Sequence, residues 1–375
     1  MFKNKYILVR DVTLLCIVCN MLYWIFPIPP MSWRIGLVSL AAYTIIKEGN
    51  YYPCEKCVFV FVIFNLLHFF ISFLWINPSI GQIGNILCAL LSLSLFTCLS
   101  QKKVMTDEFF SIAGMILLIA SIMRLYYTKQ FVIAKMGFDE DMDITNNAST
   151  AFLMLIPMVF LVKNNIQKWI FLMVCIYFLL IGAKRGNLLA AILPMGLFVY
   201  YTFKSNRHSV IKTVLVIIMI IGASYITYSW IMTNDYLLLR IERAAQGSSS
   251  GRDEIYANAW HVWYNSNSMF VYLFGYGFDG TIHHLIRGMH AHNDWLEIIV
   301  DYGLVGVLIY LAVFVSLALQ ITKMSSIKMK IIVLSSVLIW FFKTLYSMGF
   351  TEELLSVMMI SMGTALGYDK LENQS

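Results

Sequence analysis

Charge is what this chain has least of. Only 13% of its 375 residues are Asp, Glu, Lys or Arg, about half the roughly 25% of a soluble domain, which argues against a water-soluble globule. The net charge of +6 is too thin and too scattered for a nucleic-acid partner. Cysteines number seven, and Cys16, Cys19, Cys88, Cys98 and Cys175 lie inside apolar segments, where the thiol behaves as a small hydrophobe. Cys54 and Cys57 form a CxxC outside the apolar runs, but no His or Cys stands near them to supply the two further ligands of a zinc site. They read as loop cysteines beside a helix. No small-residue cleavage site follows Lys3, Lys5 and Arg10, so the first apolar stretch reads as a retained helix and not a removed signal peptide. Internal repeats and low-complexity tracts are also missing.

What is present is apolar: 59% of residues are hydrophobic, 15% are aromatic, and there are 22 methionines. A membrane span needs about 20 mostly apolar residues. On that measure twelve segments qualify, at 11–28, 32–46, 57–76, 80–100, 109–127, 148–162, 169–183, 187–203, 211–232, 295–322, 331–347 and 352–368. The second, sixth and seventh are short, which gives a range of ten to twelve. With a cytoplasmic N-terminus, sixteen of the 27 Lys and Arg residues fall in inner loops and nine in outer ones, while Arg124 and Lys343 lie within spans. The inner residues punctuate every inner loop, as the positive-inside rule requires. The expected fold is an all-α integral membrane protein, a single polytopic domain over 1–375 with both termini cytoplasmic.

Two outer loops stand out. One, near 128–147, carries the acidic run "FDEDMD", read as a solvated face. The other, 233–294, is the long polar connection of the chain, and connections of this length are usually functional. Its "LLLRIERAAQGSSSGRDEIYANAWHVW" reads as two short amphipathic helices split by the Gly/Ser stretch at 247–251. Titratable groups gather on the same side. "GAKRGN" puts Lys184 and Arg185 in a minimal turn between two spans, and "SSSGRDEIY" puts Arg252 at a helix start. "HAHNDWLEIIVDYGLVG" then sets His290, His292 and Asn293 before an apolar run. Asp294 and Glu297 have the D-x-x-E spacing of a capping box, which predicts Asp294 as the cap of the tenth span.

Planar guanidinium forks match phosphate oxygens bidentately and keep their charge. A neutral imidazole can take a proton from a hydroxyl near pH 7. The combination suggests group transfer from a phosphorylated donor to an alcohol. Beyond a bacterial-type inner membrane there are no nucleotide sugars, and a lipid diphosphate entering from the bilayer would fit. The same residues also admit plainer readings. Lys184 and Arg185 serve equally as interfacial anchors, Arg252 as a charge paired with Asp253 or Glu254, and the histidines as solvated loop residues. The loop aromatics Trp260, Trp263, Tyr264, Tyr276 and Phe278 could stack on sugar rings or seat the loop on the membrane interface.

His292-Asn293 followed by nine residues and Gly303-x-x-Gly306 resembles the signature of the O-antigen ligase/O-antigen polymerase superfamily of polytopic membrane glycosyltransferases. The "KRG" turn, the loop opening on "SGR" and the "GYG" turn occur in the matching order, and the resemblance covers roughly 145–320. It implies a metal-independent, inverting glycosyltransferase of the GT-C kind with no cofactor. The donor it implies is an undecaprenyl-diphosphate-linked oligosaccharide. A polymerase passes the glycan to the non-reducing end of another lipid-linked repeat, a ligase to lipid A-core. Carried over, His292 is the base on the acceptor hydroxyl, and Arg185 and Arg252 hold the leaving diphosphate. Lys184 stands where Ser or Thr is frequent in the family. Asn293, His290, Arg287, Arg240 and Arg243 are second-tier candidates for glycan or lipid-headgroup contact. Implied partners are the donor, a glycan acceptor, membrane lipids, and chain-length regulator and flippase proteins. The compact outer loop and the form of the His-Asn motif favour a polymerase. A lipid-linked oligosaccharide transporter would instead place charges at mid-span and show inverted repeats. A membrane acyltransferase would need a His deep in a span; His68 is the one candidate, and it reads as a packed helix residue.

Overall fold

The computed structural model describes residues 2–48, 52–136, 147–182, 184–205, 252–286 and 288–372, with 229 and 232 as single positions. The ninth expected span, the acidic run, the first loop helix with its Gly/Ser stretch, and Arg240, Arg243 and Arg287 lie outside these residues. So does the side chain of Arg185. Among the described residues the chain is helical and has no strand. The helices are α1 (Phe2–Met21), α2 (Pro30–Glu48), α3 (Pro53–Ser72), α4 (Ile80–Gln101), α5 (Asp107–Met136), α6 (Thr150–Val159), α7 (Asn165–Ile181) and α8 (Arg185–Ser205). Beyond the long loop's first half come α9 (Arg252–Tyr264), α10 (Met269–Phe274), α11 (Gly280–His284), α12 (Asp294–Lys323), α13 (Ile327–Tyr346) and α14 (Leu355–Glu372).

Helices occupy eleven of the twelve positions expected for spans. Five of them, α3, α4, α5, α12 and α13, are long and apolar enough to cross a membrane, which makes this a membrane protein. The others fall short for visible reasons. α1 carries Lys5, Arg10 and Asp11, and α14 carries Asp369, Lys370 and Glu372. α6 is a ten-residue helix containing Pro157, and all of it is buried.

The centre of the bundle is α4, whose residues from Leu87 onward to Ser100 are almost all buried. It packs on α14 through small residues. A Cβ added at Gly363 would lie 2.4 Å from the Leu93 carbonyl oxygen, and one at Gly367 would lie 2.4 Å from that of Thr97. Ser100 donates to the Thr364 carbonyl at 3.0 Å. Backbone approach through a Gly-x-x-x-Gly face is the usual way to pack helices where lipid supplies no hydrophobic drive.

Polar contacts separate into two ends. At one, Lys102 and Tyr6 meet Glu48, Ser325 N–H donates to Asp369 at 3.0 Å, and Tyr368 reaches the Met105 carbonyl. At the other, Arg34 and Arg124 pair with Glu353, Lys343 pairs with Glu352 at 3.0 Å, and residues 252–294 gather. The first set matches the expected inner loops and the second the outer ones. Arg124 and Lys343 are thus end-of-span charges with carboxylate partners.

Candidate active site

The first three residues of α12 set the site, and they do so differently from the capping box expected. Asn293 is the cap: its backbone is extended and its side-chain oxygen accepts from the N–H groups of Trp295 (3.0 Å) and Leu296 (3.2 Å). Asp294 instead turns into the core. Its carboxylate accepts from Gly349 N–H at 2.7 Å, Phe350 N–H at 3.1 Å and the Tyr310 hydroxyl at 2.8 Å. Those donors outbid the helix terminus, because a fully buried carboxylate must find partners wherever they are fixed.

Glu297 is also fully buried and anchors the preceding loop. It accepts from Thr281 Oγ1 (2.5 Å), His290 Nδ1 (2.6 Å) and Ala291 N–H (2.7 Å). One helical turn further on, Asp301 accepts from Thr281 N–H at 2.8 Å. Burial alone would lower the His290 pKa, but the hydrogen bond to Glu297 and the charges of Glu297 and Asp279 together outweigh it and the net shift is upward. Burial raises the carboxyl of nearby Asp279. His290 therefore acts as a strut of the loop and lies inside it.

His292 sits between that anchored loop and the cap with φ at 54°. A residue other than glycine in this left-handed region is uncommon and is held there by its surroundings. Here Ala291 and Asn293 fix it on either side, and Tyr256 of α9 donates to its carbonyl at 3.5 Å. Its pKa is lowered, first by burial and then by the charge of Arg252, with His290 and Lys184 adding to the effect and Glu297 opposing it. The imidazole is thus neutral at pH 7.

Three segments meet at the C-terminus of α13, where the last carbonyls have no helical partner. Arg252 donates to the Tyr346 carbonyl at 3.1 Å, and Asn293 donates to that of Leu345 at 3.0 Å. Trp295 Nε1 reaches Thr344 Oγ1 at 3.0 Å. Gly186, which follows Arg185 at the start of α8, packs on Tyr346: an added Cβ would lie 3.4 Å from the Tyr346 Cβ. Asn187 fastens this turn from below, donating to Ser149 Oγ at 3.1 Å and Thr150 Oγ1 at 3.0 Å. Burial first, then the charge of Lys343, lowers Lys184 to about 8. The structure therefore brings together His292, Asn293, Arg252, Lys184 and the backbone of Arg185.

Sequence reasoning missed the acidic partners of this cluster. Glu352, paired with Lys343, has its pKa lowered: burial pushes it up, but the charges of Lys343 and Lys184 outweigh that. The adjacent carboxylates Glu352 and Glu353, lying between two apolar runs, were the available signal. Of the loop aromatics, Trp263 and Phe278 are buried, and the ring of Tyr276 stacks on His284 at 4.0 Å. Trp260 and Tyr264 are the exposed pair, stacked at 6.2 Å.

The "GYG" turn has a structural role. α12 is broken at Gly303 (φ 65°, ψ −163°), which frees the carbonyls of Val300 and Asp301 from the helix. Tyr276 N–H and Gly277 N–H donate to them at 2.9 and 2.8 Å. A Cβ at Gly303 would stand 2.4 Å from the Leu273 carbonyl carbon, so only glycine satisfies both the conformation and the contact.

No curated protein matches the chain. Residues 170–311, which contain Arg185, Arg252, His292, Gly303 and Gly306, match the family described as O-antigen ligase, so this segment is similar to that family.

Proposed function

We propose that this end of the bundle faces the periplasm and transfers a glycan from undecaprenyl diphosphate to an acceptor hydroxyl, with the lipid-linked repeat unit as acceptor, which makes the protein a surface-polysaccharide polymerase of the bacterial inner membrane. The observation that carries the reading is the convergence of His292, Arg252 and the Lys184–Arg185 turn on the end of α13. A neutral His292 is a base of suitable strength for a sugar hydroxyl. As it takes that proton, the acceptor oxygen bonds to the anomeric carbon, the bond from that carbon to the diphosphate breaks, and the configuration inverts. Negative charge grows on the departing diphosphate, beside Arg252, Lys184 and Arg185, and stabilising charge as it develops is where such donors contribute most. The compact outer loop favours the polymerase over a ligase that delivers to lipid A-core. Arg124 and Lys343, each held by a carboxylate at the end of a span, weigh against a transporter with charges at mid-span.

The test is a surface-glycan gel from cells carrying His292→Ala. The protein remains inserted and abundant, while elongation stops at a single repeat. Full-length glycan from the variant removes His292 as the base. A gene deletion that strips all attached glycan, instead of leaving single repeats, reassigns the protein as a ligase.

A further inference from the structure

Four contacts lay the chain between α9 and α11 along α3 and the turn after it, a fifth ties α12 to the same helix, and together they define a depth. Tyr302, next to the break in α12, donates to Asn65 at 2.7 Å. His68 Nε2 lies 2.9 Å from the Phe274 carbonyl. Phe278 N–H donates to Ser72 Oγ at 2.8 Å, Gly277 packs under the Trp75 ring, and Ser79 N–H donates to Asp279 at 2.6 Å. From residue 274 to 278 the chain therefore climbs α3 from the level of His68 to that of Ser72, and Asp279 then meets Ser79 at the start of α4.

α3 also carries its own depth gauge. Val60, Ile63, Leu67, Phe70 and Leu74 are all more than half exposed at three- and four-residue spacing, a face fit only for lipid. The exposed apolar face of α3 and the turn after it runs as far as Trp75, before Asn77 and Pro78. His68 precedes the end of α3 at Ser72 by four residues, about 6 Å at ~1.5 Å per residue, and the turn that follows carries the chain on to Trp75. The Phe274 carbonyl is thus at least one helical turn, about 6 Å, below the rim of the lipid-facing surface.

We infer that residues 269–277 form a re-entrant element, dipping from the outer loop into the membrane leaflet at that end with α10 seated against acyl chains. Met269 and Phe270 are 70% and 67% exposed, and the Phe270 ring stands 5.2 Å from that of Phe274. Non-helical backbone at membrane depth is tolerated only where protein satisfies it, and here the accounting closes. Gly275 N–H returns to the Val271 carbonyl, Tyr276 and Gly277 donate to the carbonyls freed at the α12 break, and His68 serves the end of α10. Trp263 binds the other arm, its indole donating to the Tyr272 carbonyl at 3.1 Å and its ring stacked on Tyr272 at 4.4 Å. The inference rests on the chain being a membrane protein and is independent of the reaction it catalyses.

Nitroxide labels on Phe270→Cys and Met269→Cys test it, in the full chain reconstituted in phospholipid vesicles. The labelled parent chain is subtracted to remove the signal of native cysteines. Power saturation with oxygen and with a water-soluble nickel chelate reads the surroundings. Labels at 269 and 270 are expected to favour oxygen over nickel several-fold more than one on Ala257→Cys, an exposed position of α9 one turn after Asp253 and Glu254. A nickel accessibility equal to that at 257 places α10 in water and overturns the inference. Low accessibility to both reagents means burial in protein and overturns it as well.

Discussion

Glu297→Gln removes the buried anchor of the loop that presents His292. The carboxylate receives three donors, Thr281, His290 and Ala291, within 2.7 Å. An amide has one acceptor oxygen, so its NH2 must face at least one of these donors. Removing one member of a buried ion pair destabilises by about 3–5 kcal/mol. Because the contacts tie residues 281–291 to α12, the loss falls on local opening of this loop. At about 1.4 kcal/mol per factor of ten, the open population rises by roughly two to three and a half orders of magnitude. Hydrogen exchange, read by mass on peptides covering 279–292 in detergent or nanodisc, measures it directly. Glu108→Gln, an exposed carboxylate at the opposite end, is the control and should leave the same peptides unchanged. Transfer activity is expected to fall with protection. Exchange in Glu297→Gln within tenfold of the parent would refute the anchoring role.

Five further outcomes are expected. Arg252→Lys keeps the charge but loses the fork, and a lost hydrogen bond to a charged group, about 1.5–3 kcal/mol, lowers kcat/KM by roughly ten- to 150-fold. The His292 pKa lies below its ordinary value, so the pH–rate profile should show an acid limb with its midpoint below about 6.5. The His290 pKa is raised on folding. Its contribution to loop protection is therefore complete below about 6.5 and is lost as pH rises through the higher folded value, which exchange at several pH values will follow. Lys184 titrates near about 8, so donor affinity should weaken as pH rises through that value, and this dependence should vanish in Lys184→Arg. Gly303→Ala forces a left-handed alanine, about 1–2 kcal/mol, into backbone 2.4 Å away, and should lower the yield of folded protein on extraction.

Hydropathy placed helices well, because burial in lipid acts on composition over some 20 residues. It failed to give lengths: α6 reads as a span, yet it is a ten-residue piece wholly surrounded by protein. His292, Arg252 and the Lys184–Arg185 turn were legible as motifs because their spacing is local. Their meeting place was not, since Tyr346 and Leu345 of α13 carry only backbone carbonyls to the contact. The cap of α12 was misread for a related reason. D-x-x-E fits a capping box, but the choice between Asn293 and Asp294 is decided by Gly349, Phe350 and Tyr310, far along the chain. The break at Gly303 was visible only as a glycine in a motif.

The pairing of α4 with α14 has a consequence for how the protein is made. Ser100 and Thr364 are 264 residues apart. A ribosome adding ~5–20 residues per second needs on the order of 10–50 s to cover that distance. Throughout that interval Ser92, Ser94, Thr97 and Ser100, all buried in the finished bundle, wait without the glycine face of Gly363 and Gly367. The keystone helix of the protein is thus among the first inserted and the last to be locked, which makes it a natural client for whatever shelters half-built membrane chains beside the translocation channel.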